Sequence, residues 1–208
     1  MTRILIADDH TIVRKGLKQI LSETTDMVVV DEAANGQEVI DKVEKKGCDV
    51  VLLDISMPGR NGLEVLKQLR VDHPRIAVLV LSMHPEEQYA VRALKAGASG
   101  YLTKESAPDE LISAIRRAVQ GKKYVSSSLA EKLALYLEDE TKKPIHETLS
   151  DREYQVLCMI ASGKTVGEIA TELSLSVKTI STYRTRILEK MNMKTNAELI
   201  HYAIHHNL

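Results

Sequence analysis

VVLLDISMPG, Val50 to Gly59, runs through unbroken aliphatic side chains and then stops on an acid followed by a Met-Pro-Gly turn. So short a run, without polar alternation, reads as a strand buried on both faces. Similar runs flank it at Ile4–Ala7, Met27–Val30, Ile76–Leu81 and Gly100–Leu102. Between them the apolar period lengthens to that of helices, as in Val13, Gly16, Leu17, Ile20 and Leu21, and later in Leu111, Ala114, Ile115 and Ala118. Strands alternating with helices over residues 1–121 predict an α/β domain, a doubly wound parallel sheet covered on both faces.

Chemistry gathers at the ends of these runs. Asp54 closes the third, Asp8 and Asp9 follow the first, Ser82 ends the fourth, and Lys104 follows the fifth. In an open parallel sheet, ligands bind beyond the carboxyl ends of the strands. These residues are therefore expected at one edge, although they lie far apart in sequence. Crowded carboxylates repel one another and call for a cation. Oxygen donors suit a hard divalent ion such as Mg²⁺. A carboxylate can also accept a phosphoryl group, with Lys104 supplying charge and Ser82 a hydroxyl. A haloacid-dehalogenase-like phosphatase is the enzymatic alternative. That class uses a D-x-D pair on the first strand, whereas Asp8 and Asp9 are adjacent and the candidate nucleophile lies on the third.

Asp8-Asp9, Asp54-x-x-Met57-Pro58-Gly59, Ser82 and Lys104 together resemble the receiver-domain signature of response regulators. The resemblance implies a flavodoxin-like (βα)5 fold with strand order 2-1-3-4-5. It implies Asp54 as phosphoacceptor, and Mg²⁺ held by Asp8, Asp9, Asp54 and the backbone carbonyl of Ser56. It further implies Ser82 and Tyr101 as a switch pair and Lys104 as the phosphate clamp. The phosphate would come from a sensor histidine kinase or a small phosphodonor. Such a domain catalyses its own phosphoryl transfer and slow dephosphorylation, and is otherwise not a conventional enzyme.

Residues 122–147 read as a linker with a short helix from Ser128 to Leu137, followed by the charged stretch EDETKKPIHET. Residues 148–208 contain no strand-like run. Ser150-x-x-Glu153, Thr165-x-x-Glu168 and Thr195-x-x-Glu198 each open on a capping-box pattern, Ser176 can cap a further helix, and Gly163 suits a helix stop. A small all-α domain of four helices is expected.

Within it, SLSVKTISTYRTRILEKM, Ser174 to Met191, has helical period. Val177, Ile180, Ile187, Leu188 and Met191 are expected to face the core. Lys178, Ser181, Thr182 and Thr185 fall on another face near the helix start, where a recognition helix meets base edges. Arg184, Arg186, Lys190 and Lys194 suit phosphates. The stretch from Leu149 to about Tyr202 resembles the LuxR-type helix-turn-helix of the NarL/FixJ family, closest to its GacA-like branch. The resemblance implies binding of double-stranded promoter DNA by a homodimer in the active form. Ile112 and Val119 form an apolar edge that could pair. A helical docking module for another protein is the competing reading of the basic helix.

The chain has 208 residues and a formal net charge of −1, so bulk charge excludes no partner. The local excess of cations at 174–194 points to an anionic partner at one place. Two cysteines, Cys48 and Cys158, argue against a disulfide framework. No apolar run approaches a membrane span, and a cytoplasmic protein without membrane association is expected. The Ala161–Thr165 run ASGKT lacks the first glycine and the preceding strand of a phosphate loop. His201 and His205 have metal-compatible spacing but read as a surface face.

Overall fold

A computed structural model describes residues 1–106, 108–138, 144–206 and 208, with the side chains of residues 87, 132 and 135–138 outside the description. The expected linker stretch 139–143 lies outside it too. The chain forms two compact units, Met1–Ala130 and Glu131–Leu208.

The first unit alternates β1 (Thr2–Ala7), α1 (Thr11–Ser22), β2 (Met27–Ala33), α2 (Gly36–Lys46), β3 (Val50–Asp54), α3 (Gly62–Asp72), β4 (Ala77–Ser82), α4 (Glu86–Lys95), β5 (Gly100–Thr103) and α5 (Pro108–Val119). All strand pairs are parallel and the order is β2-β1-β3-β4-β5, the flavodoxin-like order. β3 is central, and every one of its residues is buried. Its aliphatic run thus follows from helices on both faces. The amphipathic helices close the core: Leu21 of α1 and Leu111, Ala114, Ile115 and Ala118 of α5 pack with Ile4, Leu52 and Leu79. Burying these side chains supplies the main driving force, about 25 cal/mol per Å² of apolar surface.

The turn after β3 is drawn tight by Gly62. A Cβ there would lie 2.3 Å from the Asp54 carbonyl oxygen, so α3 could not approach the strand end with any side chain at this position. Asn61, fully buried, caps α3 by accepting from the Leu63 N–H at 2.8 Å. The sequence Met57-Pro58-Gly59-Arg60-Asn61-Gly62 therefore fixes the backbone that carries Asp54.

The helix expected at 128–137 is α6 (Ser127–Glu138), and the unit boundary falls inside it. A 3-10 turn (Ile145–Thr148), α7 (Asp151–Ala161), α8 (Val166–Glu172), α9 (Val177–Lys190) and α10 (Asn196–His205) complete the second unit. Capping boxes form at Ser150/Glu153 and Thr165/Glu168. The third differs from expectation. Thr195 does cap α10, but the Glu198 carboxylate accepts from the Lys194 N–H rather than from that of Thr195. Gly163 has φ +87, as a helix stop requires, and Ser174 takes φ +53 in the turn between α8 and α9.

One core assignment on α9 is corrected. Ile180, Ile187 and Met191 are buried, and Leu188 is half-buried, but Val177 is 56% exposed. Val177 is the first residue of the helix, where the apolar seam runs past the helices that cover it.

Candidate functional site

Asp8 and Asp54, both 1% exposed, meet at the carboxyl edge of the sheet. Lys104 Nζ lies 2.7 Å from Asp54 Oδ2 and 2.7 Å from Asp8 Oδ2. The Asp54 contact is aligned as a hydrogen bond, whereas the Asp8 contact is an ion pair without that alignment. Asp54 Oδ1 accepts from the Ser56 N–H at 3.2 Å. Burial raises the Asp54 pKa and nearby Asp8 adds to the rise, while Lys104 opposes both. For Lys104, burial lowers the pKa, but Asp54 and Asp8 outweigh it and the net shift is upward. The pocket thus holds its lysine charged.

One cation does not balance three acids. Ligand atoms of Asp8, Asp9, His10 and Asp54 lie within 4.8 Å of one another. Asp8 Oδ2 and Asp9 Oδ1 are buried, and each has a nitrogen at ion-pair distance, Lys104 Nζ and His10 Nδ1 respectively. Their chemistry, crowded hard oxygen donors, fits a divalent cation. His10 was not anticipated: its Nδ1 stands 2.8 Å from Asp9 Oδ1 and 3.3 Å from Asp8 Oδ1. Its place directly after the acid pair in sequence was the available signal. Arg14, also missed, donates to the Asp8 carbonyl at 2.7 Å and pairs with Glu32. It holds the β1–α1 turn from below, and nothing in the sequence distinguishes it from other surface cations.

In the second unit, α9 exposes Lys178, Ser181, Thr182, Thr185 and Arg186. Ser176, Lys178, Thr179, Thr182, Tyr183 and Arg186 line a shallow hollow of about 310 Å³. Two of the expected phosphate contacts are differently placed. Arg184 Nε donates to Asn196 Oδ1 of α10 at 2.6 Å, and Lys190 Nζ donates to Glu153 Oε2 of α7 at 2.6 Å. Both tie α9 to its own domain.

Residues 4–116 match the response regulator receiver domain family, and residues 147–203 match the bacterial regulatory proteins of the luxR family. The chain belongs to the response regulators. It is 38% identical to the response regulator UvrY of Escherichia coli strain K12, over all of this chain and 96% of that protein. It is 37% identical to GacA of Pseudomonas viridiflava, over all of this chain and 98% of that one. Among solved structures it is similar to RcsB of Salmonella enterica serovar Typhimurium bound to promoter rprA with the phosphomimetic BeF3⁻, at TM-score 0.68 and 29% identity over 97% of each chain.

In this response regulator the β4–α4 turn joins several receiver side chains. Ser82, fully buried, accepts the His84 N–H on its Oγ at 3.1 Å. Tyr101 is likewise fully buried, with its hydroxyl donating to the His84 carbonyl at 2.8 Å. His84 Nε2 meets Ser56 Oγ at 3.2 Å, and its ring lies 4.9 Å from that of Tyr89. Sequence reasoning passed over His84, whose position two residues beyond Ser82 was the signal. Ile112 is half-buried against the core, which leaves Val119, 46% exposed, as the open part of the expected apolar edge. His201 and His205 are exposed with ring centroids 5.6 Å apart, and Cys158 is buried. Among the described residues no helix is long and apolar enough to cross a membrane.

Proposed function

We propose that this chain is a phosphorylation-switched transcription regulator. Its receiver spans 1–121 and its linker 122–147, and its DNA-binding domain spans 148–208. Asp54 is the phosphoacceptor. Its carboxylate oxygen forms the new O–P bond as the P–N bond of a sensor histidine kinase's phosphohistidine, or the P–O bond of a small acyl phosphate, breaks. Asp8, Asp9, Asp54 and the Ser56 carbonyl would hold Mg²⁺, which supplies charge neutralisation at the phosphoryl oxygens. Lys104 carries fixed positive charge to the same place, and Ser82 offers a hydroxyl. The same residues support slow autodephosphorylation. The observation that carries this reading is the buried Asp54–Lys104–Asp8 cluster, with ligand atoms of Asp8, Asp9 and Asp54 within 4.8 Å of one another.

The output is recognition of double-stranded promoter DNA by α9. Lys178, Ser181, Thr182 and Thr185 read base edges and Arg186 holds a phosphate. Arg184 and Lys190 brace the helix. The active form is a homodimer on two half-sites, since one short helix reads few base pairs. The protein works in the cytoplasm, where kinase and promoter meet.

Mass spectrometry after incubation with acetyl phosphate and Mg²⁺ tests the first half. One phosphate is expected, absent from Asp54→Asn, and equal labelling of that variant would reject the assignment. Thr182→Ala should cost about 1–3 kcal/mol at the preferred site and much less on random DNA. Equal losses on both would reject base reading. Sedimentation showing a monomer when phosphorylated and on DNA would reject the dimer.

A further inference from the structure

Glu86, the first residue of α4, reaches the start of α6 forty residues on. Its Oε2 accepts from Ser126 Oγ at 2.6 Å and from Ser128 Oγ at 3.0 Å. Ser126 Oγ in turn accepts the Leu129 N–H at 3.1 Å, so the hydroxyl that caps α6 is oriented by Glu86. One carboxylate therefore stands at the amino ends of two helices, where both dipoles favour negative charge. Leu129 is fully buried and fixes the first turn of α6 on the receiver.

Glu86 is also two residues beyond His84. The His84 N–H is held by Ser82, its carbonyl by Tyr101 and its ring by Ser56. A change at the phosphoacceptor that draws on Ser82 or Ser56 must be felt at His84, and through the short Pro85 link at the α4 amino end. A second anchor is independent of this turn. Tyr124 pairs with Gly100 beside β5 and donates from its hydroxyl to Glu110 Oε1 of α5 at 2.6 Å. The segment entering α6 is thus held at two points, one at the sheet edge and α5, and one next to the β4–α4 turn.

We propose that Glu86 is a releasable latch: it clamps the first turn of α6 through Ser126 and Ser128 in the resting receiver, and phosphorylation frees it through the β4–α4 turn. The release step rests on Asp54 being the phosphoacceptor. Because the unit boundary falls within α6, loosening its first turn acts at the junction between the units.

Hydrogen exchange of the full chain, read on the α6 amides with and without acetyl phosphate and Mg²⁺, tests the latch. Without phosphodonor, Glu86→Ala and Ser128→Ala should each exchange about tenfold faster over the first turns of α6 than wild type. Ser→Ala raises helix propensity, so faster exchange in Ser128→Ala cannot come from propensity. Ser127→Ala, at a neighbouring exposed position, serves as the control and should not be faster. Phosphodonor should raise α6 exchange in wild type but add little in Glu86→Ala, with Asp54 labelling unchanged by mass. Wild-type exchange in both resting variants would overturn the clamp. A labelled wild type with unchanged α6 exchange would overturn the release. A wild type that takes no phosphate would overturn the phosphoacceptor reading and the release with it, while the resting comparison still judges the clamp.

Discussion

Lys190→Ala separates two roles for one lysine. The charge pattern of α9 assigns Lys190 to a DNA phosphate, whereas the structure pairs it with Glu153. Glu153 is 4% exposed at its side chain, Lys190 is 42% exposed, and their charged atoms are 2.6 Å apart. The same Glu153 oxygen accepts the Ser150 N–H at 2.8 Å as part of the α7 cap. Removing the ammonium leaves a desolvated carboxylate with neutral donors alone. A hydrogen bond to a charged group contributes about 1.5–3 kcal/mol. Water that reaches the half-exposed lysine reduces this to about 1 kcal/mol. Native-state hydrogen exchange of the α7 and α9 amides in the full chain should therefore quicken about fivefold. Glu153→Gln should do the same, and the double variant should fall short of the sum because the two side chains share one interaction. The salt slope of DNA binding should stay at its wild-type value, since no phosphate contact is lost. Wild-type exchange in Lys190→Ala, with a salt slope lowered by about one, would refute the structural role and restore the phosphate contact.

Gly62→Ala should destabilise the receiver by about 3 kcal/mol and reduce phosphate uptake, because its Cβ would meet the Asp54 carbonyl at 2.3 Å; urea unfolding at wild-type strength would contradict the packing. Burial works against Glu153 ionising, but Lys190 and the Ser150 cap outweigh it and lower its pKa below the ordinary 4.5. Its contribution to stability is thus fully present above that value and is lost as pH falls through the depressed one; acid unfolding of the second unit should lose this dependence in Glu153→Gln. Burial pushes the Cys48 thiol up to about 11, with Asp49 adding to the rise. Iodoacetamide should therefore label Cys48 about a hundredfold more slowly in the native chain than in urea at neutral pH, and equal rates would contradict its burial.

The fold was legible because its signals are local and repeated. Five short apolar runs, each closed by a polar residue, leave few alternatives to a parallel sheet, and that topology places Asp8, Asp54 and Lys104 together without further information. Caps were legible for the same reason, as Ser150 and Thr165 show. Thr195 marks the limit: the pattern gives the glutamate but not which of two adjacent N–H groups it will take. Val177 marks another, since the period of a helix continues past the point where its neighbours stop covering it.

The contacts that were not legible share one property. Arg14, Glu86 and Lys190 act through partners remote in sequence, and their side chains resemble those on any solvated surface. A count of cations identifies α9 as the basic helix but cannot say which cations are free. Arg184 bonds to Asn196, and Lys190, although exposed, bonds to Glu153, while Lys178 and Arg186 lie on the open face. The division follows from the helix itself. Lys190 lies three residues beyond buried Ile187, and Arg184 four beyond buried Ile180, so both flank the apolar seam, where a long side chain can fold back onto the neighbouring helices. With about 3.6 residues per turn, Arg184 and Lys190 lie within about 90° of the direction set by Ile180, Ile187 and Met191, whereas Lys178 and Arg186 lie more than about 100° from it. Charge therefore selects the helix, and distance from the apolar seam selects which of its cations bond within the domain.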